Sequence, residues 1–436
     1  MTGEDQDVAP TVAFSVHDRV QQWLAGQGPD ESHMHIGMLL RLRGPAPTPP
    51  ELRELLAARA ASAPVLAYRP DWRERRWTPD PGFDIAAHLH ERKLPEGADV
   101  LAAATARMRR PLPDRRPLWD LTLLHGHRPD EHLLLYRNHH AFQDGMAMTA
   151  TLEALFGRRR LGTPRHVPYQ AAQRARSTRA PGEPRWDPGV SLRRAPAWTP
   201  VSGPLTGRRV LHAVALDADL LRATTSATGA SLNQVCLAAL TAALRTWSLP
   251  DWTSPTAGTA TGRRGRTLPV GIPVNLRPAD RAGALGNHLG GLPIGLPCGD
   301  PDPLRQLRGV TEQTAARRML RHRDRGRAHF HRVPYPLLRA MCSWGADPRR
   351  LATTVTTVRV APGLAVGGAP VVEMIPYPNL VPRQRLMVAM TQYGGGVTAS
   401  VLADAGVPDL PALHTAWQRA VTDLYAATNS ERPAHR

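Results

Sequence analysis

Lysine is almost missing from this 436-residue chain. Lys93 is the only one in a Lys+Arg total of 55, so arginine carries nearly all of the formal net charge of +18. Abundant Ala, Pro and Gly accompany it, the mark of a GC-rich coding background to which part of the charge is attributable. Cysteine is scarce as well. Cys236, Cys298 and Cys342 are odd in number and widely spaced, which excludes a disulfide scaffold and a Cys-type zinc site. Aromatics make up only 5% of the residues, few for a surface that stacks bases. No apolar run approaches the roughly 20 residues of a membrane-spanning helix. The opening MTGEDQDVAPTV has neither the basic nor the apolar region of a secretory leader. What is present is a 42% hydrophobic content, ample for a core. The expectation is a reduced, cytoplasmic, two-part globular protein.

A net positive charge favours polyanions: nucleic acid, an acidic membrane surface, an acidic carrier protein or a phosphate-bearing co-substrate. The arginines are spread along the chain, and the densest clusters, Arg158–Arg160 and Arg317–Arg332, match no nucleic-acid motif. No nucleic-acid partner is expected. A solvated arginine-rich surface, which also takes in His322, His329 and His331, is the plain reading. A phosphate-binding rim is the next. No strongly amphipathic basic helix announces itself, so peripheral membrane contact stays open.

Two segments interrupt the pattern. Residues 158–205 are rich in Pro, Arg, Gly and Ser without a sustained period and read as a linker or crossover, and 251–267 reads as a low-complexity loop. Ahead of the linker, strands are expected at 34–44, 118–126 and 131–141, and helices at 50–62, 98–109 and 146–160. After it come strands at 208–217, 267–277, 352–360, 385–395 and 397–405. Helices are expected at 217–229, at 231–249 with Ser231 as N-cap, at 301–320 and at 410–427. Each half mixes strands with helices, so the fold class is α+β, mixed sheets with flanking helices. The boundaries expected are 1–160, a linker at 161–205, and 206–436.

One cluster carries chemistry: Asn138-His139-His140-Ala141-Phe142-Gln143-Asp144-Gly145, at the end of an apolar strand. A histidine near its ordinary pKa of about 6.5 accepts a proton at neutral pH, a carboxylate can hold the local backbone through an ion pair, and a glycine admits close approach. A turn with exposed histidines is the alternative. A metal is not expected, since neighbouring histidines on a strand point to opposite sides.

HHAFQDG resembles the HHxxxDG signature of the CoA-dependent acyltransferase superfamily, which includes chloramphenicol acetyltransferase, condensation domains and the bacterial wax ester synthase/diacylglycerol acyltransferases. The surroundings are similar to the last branch. Met34-His35-Ile36-Gly37 resembles its early strand, Pro117-Leu118-Trp119 its PLW element and Asn233 its Asn-Asp pair. Pro273-Val274-Asn275-Leu276-Arg277 resembles its PVSVR strand, Gly286-Asn287 a following loop, and VTASVLADAGVPDL its last strand. The resemblance runs from about residue 12 to 427. Gln234 stands where an Asp is common, Thr356–Val360 replaces an SNVPGP-like segment, and Thr391-Gln392-Tyr393 replaces a Ser-Tyr element. These departures fall on the acceptor side.

The resemblance implies two chloramphenicol-acetyltransferase-like subdomains in a pseudo-dimer around a central tunnel. His140 would be the general base and His139 would orient the loop. Asp144 would pair with an arginine, for which Arg69 and Arg277 are both candidates, and Gly145 would keep the channel open. Phe142, Trp119 and Asn287 are candidate substrate contacts, Asn287 as a donor to the oxyanion or acceptor; the plain readings are a plug in the turn, a core tryptophan and an ordinary loop asparagine. No cofactor would be bound. The partners would be an acyl-CoA or acyl-carrier-protein thioester as donor and an alcohol or amine as acceptor. Three functions follow: a wax ester synthase/diacylglycerol acyltransferase-like O-acyltransferase, a condensation-type natural-product acyltransferase acting on a polar acceptor, or an inactive scaffold of the same fold.

Overall fold

The computed structural model describes residues 9–164, 198–253, 267–277, 284–329 and 332–430. Most of the expected linker and of the 251–267 loop lies outside them. The chain divides into two units, one of Met1–Gln170, Arg277–His288 and Val360–Val372, the other of Ala171–Leu276, Leu289–Arg359 and Glu373–Arg436.

The first unit runs β1 (Val12–Ala13), α1 (Val16–Ala25), β2 (His35–Arg43), α2 (Pro49–Ala60), β3 (Tyr68–Asp71) and β4 (Arg76–Pro79). It continues through β5 (Leu89–Lys93), α3 (Val100–Met108), β6 (Trp119–Arg128), β7 (Glu131–His139) and α4 (Gly145–Phe156). β7 is a central strand. It pairs antiparallel with β2, from Arg43↔Glu131 to His35↔His139, and on its other edge with β6, to which β5 adds in parallel. Every residue from His132 to His139 is therefore buried, and the strand reads as a continuous run rather than as an alternation. β1, β4 and β3 form a separate small sheet.

The second unit runs β8 (Arg209–Leu216), α5 (Ala218–Thr228), α6 (Leu232–Trp247), α7 (Leu249–Thr253), β9 (Leu268–Asn275), β10 (Leu289–Leu296), α8 (Pro303–Gln313), α9 (Ala316–His329), α10 (Tyr335–Gly345) and β11 (Thr353–Arg359). The chain then makes the hairpin of β12 (Ala365–Val366) and β13 (Ala369–Tyr377), in which the first unit gives way to the second. β14 (Leu386–Tyr393), β15 (Gly396–Asp404) and α11 (Leu410–Ser430) finish it. Its sheet has the order β10-β9-β11-β14-β15-β8, with β11 parallel to both neighbours. α6 and α11 lay Val235, Leu240, Leu244, Leu413, Trp417 and Val421 on that sheet. Both units are mixed sheets with flanking helices, the α+β class expected.

Local chemistry explains the elements. Ser231 caps α6 and Gln234 closes its capping box, which gives the glutamine a structural role. The helix expected at 301–320 is two helices, because Thr314 ends α8 and turns its hydroxyl back to the Val310 carbonyl. β10, β13, α10 and α1 were not expected. LGGLPIGL, the sequence of β10, holds three glycines and a proline, and Pro293 is tolerated because β10 is an edge strand.

A buried ion-pair cluster ties β7 to β6 and α3. Arg137 of β7 donates twice to its cross-strand partner Asp120, at 2.8 and 2.7 Å, and Arg107 of α3 reaches the same carboxylate at 2.5 Å. Arg137 also donates to the carbonyl of Arg107 at 3.0 Å, near the end of α3. Removing one partner of a buried pair leaves an uncompensated charge. Asp120→Ala should lower stability by about 3–5 kcal/mol, read as a drop in the urea midpoint of unfolding.

Candidate active site

β7 ends at His139, and both of its neighbours hold that end. The His139 amide donates to Leu118 O at 3.0 Å and the His140 amide to Met34 O at 2.9 Å. The chain then turns, with Phe142 N donating to His139 O and Asn138 Nδ2 clamping the carbonyls of His139 and Gln143 at 3.0 Å each. Asp144 is the N-cap of α4, and Gly145 is the helix's first residue. Asp144 Oδ1 accepts from Met146 N (3.1 Å) and Ala147 N (3.0 Å). Its Oδ2 accepts from Arg277 Nη1 (2.5 Å) and His288 N (3.0 Å). Burial pushes the Asp144 carboxyl up, but Arg277 and these donors outweigh it and hold the group below the usual carboxylate range. Arg277 is therefore the arginine paired with Asp144. The other candidate, Arg69, sits on β3 with Nε 3.7 Å from Asp80 Oδ1 and makes a half-exposed surface pair.

His140 is half-buried, while His139 beside it is buried. The Ala141 amide donates to His139 Nδ1 at 3.0 Å, and burial holds His139 far below its ordinary pKa, so it is a neutral acceptor that braces the turn. His140 Nδ1 lies 2.8 Å from Asn287 Oδ1. The orientation of that amide is fixed by its other end: Asn287 Nδ2 faces three acceptors, His140 O (2.6 Å), Ala141 O (3.1 Å) and Asp18 Oδ1 (3.3 Å). Oδ1 must then accept, His140 Nδ1 must carry the hydrogen, and the lone pair is left on Nε2. Burial lowers the His140 pKa, partly offset by its own main chain, Asp144 and Asn287, so the ring is neutral at pH 7.

Asn287 does not have the donor role expected of it, because its amide hydrogens are committed to those three oxygens. The two aromatic substrate contacts are corrected as well. Trp119 is buried between His88 (centroids 4.5 Å) and Tyr136 (5.8 Å), with Nε1 donating to Leu66 O at 2.8 Å. Phe142 is buried edge-on against Trp77 at 5.6 Å. Both are core residues of the first unit.

Asp18 was missed. It is fully buried, and Oδ1 accepts from Asn287 N at 2.9 Å as well as from the side-chain amide. Oδ2 accepts from Ser15 N (2.9 Å) and Trp77 Nε1 (3.3 Å). Its signal in the sequence is the capping box Ser15-Val16-His17-Asp18 ahead of Val20 and Leu24. The turn that brings Asn287 here needs Gly286: its φ is +81°, and a Cβ would come within 2.8 Å of the Asp18 carboxylate. Two more buried histidines flank the Asp144–Arg277 pair. Burial lowers His17 to about 4 and His288 to about 3.

Burial raises the Cys236 thiol to about 12 and the Cys342 thiol to about 11, so neither is a ready nucleophile. Among the described residues no group of three or more His, Cys, Asp or Glu could hold a metal ion.

Residues 22–197 match the wax ester synthase/diacylglycerol acyltransferase catalytic domain, and residues 285–424 the WS/DGAT C-terminal domain. The protein tgs1 of Mycobacterium tuberculosis (strain H37Rv), which carries a diacylglycerol O-acyltransferase name, is 26% identical over 92% of this chain and 93% of its own length. Rv3371 of the same organism, named likewise, is 28% identical; that match takes in 63% of this chain and 60% of the relative. Among solved structures, the wax ester synthase/diacylglycerol acyltransferase of Marinobacter aquaeolei VT8 superposes with a TM-score of 0.63 at 19% identity, covering 94% of this chain and 98% of that one. The condensation domain of the monacolin K polyketide synthase MokA gives 0.61 at 13% identity, covering 97% and 98%. A starter condensation domain of rhizomide synthetase, solved with C8-CoA, gives 0.62 at 16%, covering 96% and 95%. These structures share the fold, which is chloramphenicol-acetyltransferase-like. The catalytic and C-terminal domain matches together take in most of the chain, which belongs to the wax ester synthase/diacylglycerol acyltransferase family of O-acyltransferases.

Proposed function

We propose that this protein transfers an acyl group from acyl-CoA to an acceptor hydroxyl, with His140 as general base and no acyl-enzyme intermediate. The observation that carries the reading is the His140–Asn287 bond, which leaves a neutral imidazole with its lone pair on Nε2. Nε2 takes the proton of the acceptor hydroxyl as its oxygen attacks the thioester carbonyl. The tetrahedral oxyanion collapses and the C–S bond breaks. The thiolate leaves with the proton returned from the imidazolium. A thioester is already activated, so no nucleophilic cysteine is needed. Gly145, partly exposed at the start of α4, is the residue proposed to leave room beside the thioester. The condensation domain solved with C8-CoA supports acyl-CoA as donor.

A second reading changes donor and acceptor only: a carrier-protein thioester and a polar alcohol or amine. The drifted acceptor-side segment Thr356–Val360 and the +18 net charge, suited to an acidic carrier, favour it. Long-chain acyl-CoA offered with fatty alcohol or diacylglycerol, followed by thiol release, separates the two. Turnover there supports the first reading. Silence there with transfer from acyl-carrier protein supports the second, and silence in both assays leaves a scaffold.

His140→Ala should lower kcat by about 10²–10⁴-fold in the thiol-release assay, and an undiminished rate would remove His140 from the mechanism. Because the His140 pKa is lowered, the base loses its lone pair only under acid conditions, so the acid limb of kcat/KM should fall below pH 6.5. Asn287→Ala should cut kcat about tenfold or more with KM little changed. It should also move that limb to still lower pH, since the Asn287 bond raises the His140 pKa.

A further inference from the structure

The described residues expose seven large hydrophobic side chains, and four of them fall within α9 and α10: Leu320, Leu337, Met341 and Trp344. On α10, Pro336, Leu337, Ala340, Met341 and Trp344 are exposed at helical spacing, while Leu338 on the opposite face is buried. Leu337 is 54% exposed, Met341 44% and Trp344 39%. Scattered apolar residues need no explanation, whereas a continuous stripe does.

Arginine is dense in this part of the chain. Between Ala316 and Arg350 the chain carries ten arginines against two acidic residues, Asp324 and Asp347. Arg317, Arg321 and Arg325 are exposed one turn apart along α9, beside Leu320, and Arg332, Arg339 and Arg349 are exposed around α10. The Arg350 guanidinium lies over the Trp344 ring, 4.8 Å from its centroid. The sequence alone showed no such element, because the stripe appears only once the exposed face of α10 is known.

α9 is fixed from behind. His322 Nε2 bonds Gly291 O at 3.0 Å and Arg327 Nε donates to Leu276 O at 2.9 Å. Gly326 lies so close to Leu276 that a Cβ would meet its Cδ2 at 2.7 Å. His322 thus fastens the helix and is not simply part of a charged surface. The side chain of His329 and all of His331 lie outside the described residues.

We infer that α10 docks the protein on an anionic lipid surface, with Leu337, Met341 and Trp344 entering the headgroup boundary and the arginines that flank them, Arg332, Arg339, Arg349 and Arg350, meeting lipid phosphates. A tryptophan ring and extended arginines suit that depth. A second copy of the chain would set one arginine ring against another, and an acidic protein would answer the charge but not the stripe. α10 has 11 residues, too few to span a bilayer, and its stripe occupies one face, so the contact lies on the surface. This inference goes beyond the acyl-transfer reading and stands on α10 and its flanking arginines alone.

Co-sedimentation tests it, using vesicles of phosphatidylcholine alone and of phosphatidylcholine with phosphatidylglycerol at roughly 7:3. The whole protein should sediment with the anionic vesicles, less with the neutral ones, and release as salt rises. The double variant Leu337→Asp/Met341→Asp should partition about tenfold less or worse, with its melting temperature unchanged because both side chains are exposed. His140→Ala should bind vesicles like the unsubstituted protein, so a failure of the chemistry is read separately. Absence of binding to anionic vesicles, or equal binding by the double variant, overturns the inference. So does a dimer that the double variant abolishes, or capture of an acidic carrier protein lost in that variant while vesicle binding persists.

Discussion

Everything at the site depends on one buried carboxylate having all its acceptor positions filled. Asp144 caps a helix with one oxygen and, with the other, receives a guanidinium and a main-chain amide from a loop far along the chain. An ionised carboxylate in so dry a place is tolerable only when it is paired and hydrogen-bonded this fully. The pair joins the turn after β7 to Arg277, and the same carboxylate takes the His288 amide, which brings Gly286 and Asn287 beside His140. Viewed this way, the aspartate of the motif is a fastener of the backbone, one step removed from the chemistry.

The second step is electrostatic. The site keeps its histidines neutral, each pushed down first by burial. Orienting His140 with a carboxylate would raise its pKa, whereas an amide fixes the tautomer without adding charge beside the ring. Asp18 stands one residue further out, where its carboxyl oxygen accepts from the amide and orders it. Burial raises its pKa against the pull of its own donors.

The motif was legible because a polar run at the end of a fully apolar strand has few purposes. The strands and helices around it followed from their periods and caps. What could not be read was depth. Trp119 and Phe142 look alike in sequence whether they line a channel or fill a core, and only packing against His88, Tyr136 and Trp77 decides it. Arg69 and Arg277 were equal candidates for Asp144 because a pairing across 133 positions leaves no local trace. Asp18 was hidden for a different reason: a capping-box aspartate is ordinary, and its second role appears only when Gly286 and Asn287 arrive. β10 escaped because glycine and proline obscure an edge strand.

The pairing of Asp144 with Arg277 also sets a clock. Translation at about 5–20 residues per second delivers Arg277 roughly 7 to 27 seconds after Asp144 has left the ribosome's peptidyl-transferase centre. Until then the nascent first lobe holds an aspartate without its counter-ion, in a pocket that must remain wet or protonated. The lobe that bears the motif is therefore completed out of order, by a stretch of chain made long after it, and a prematurely terminated polypeptide would present the signature residues without the scaffold that orients them.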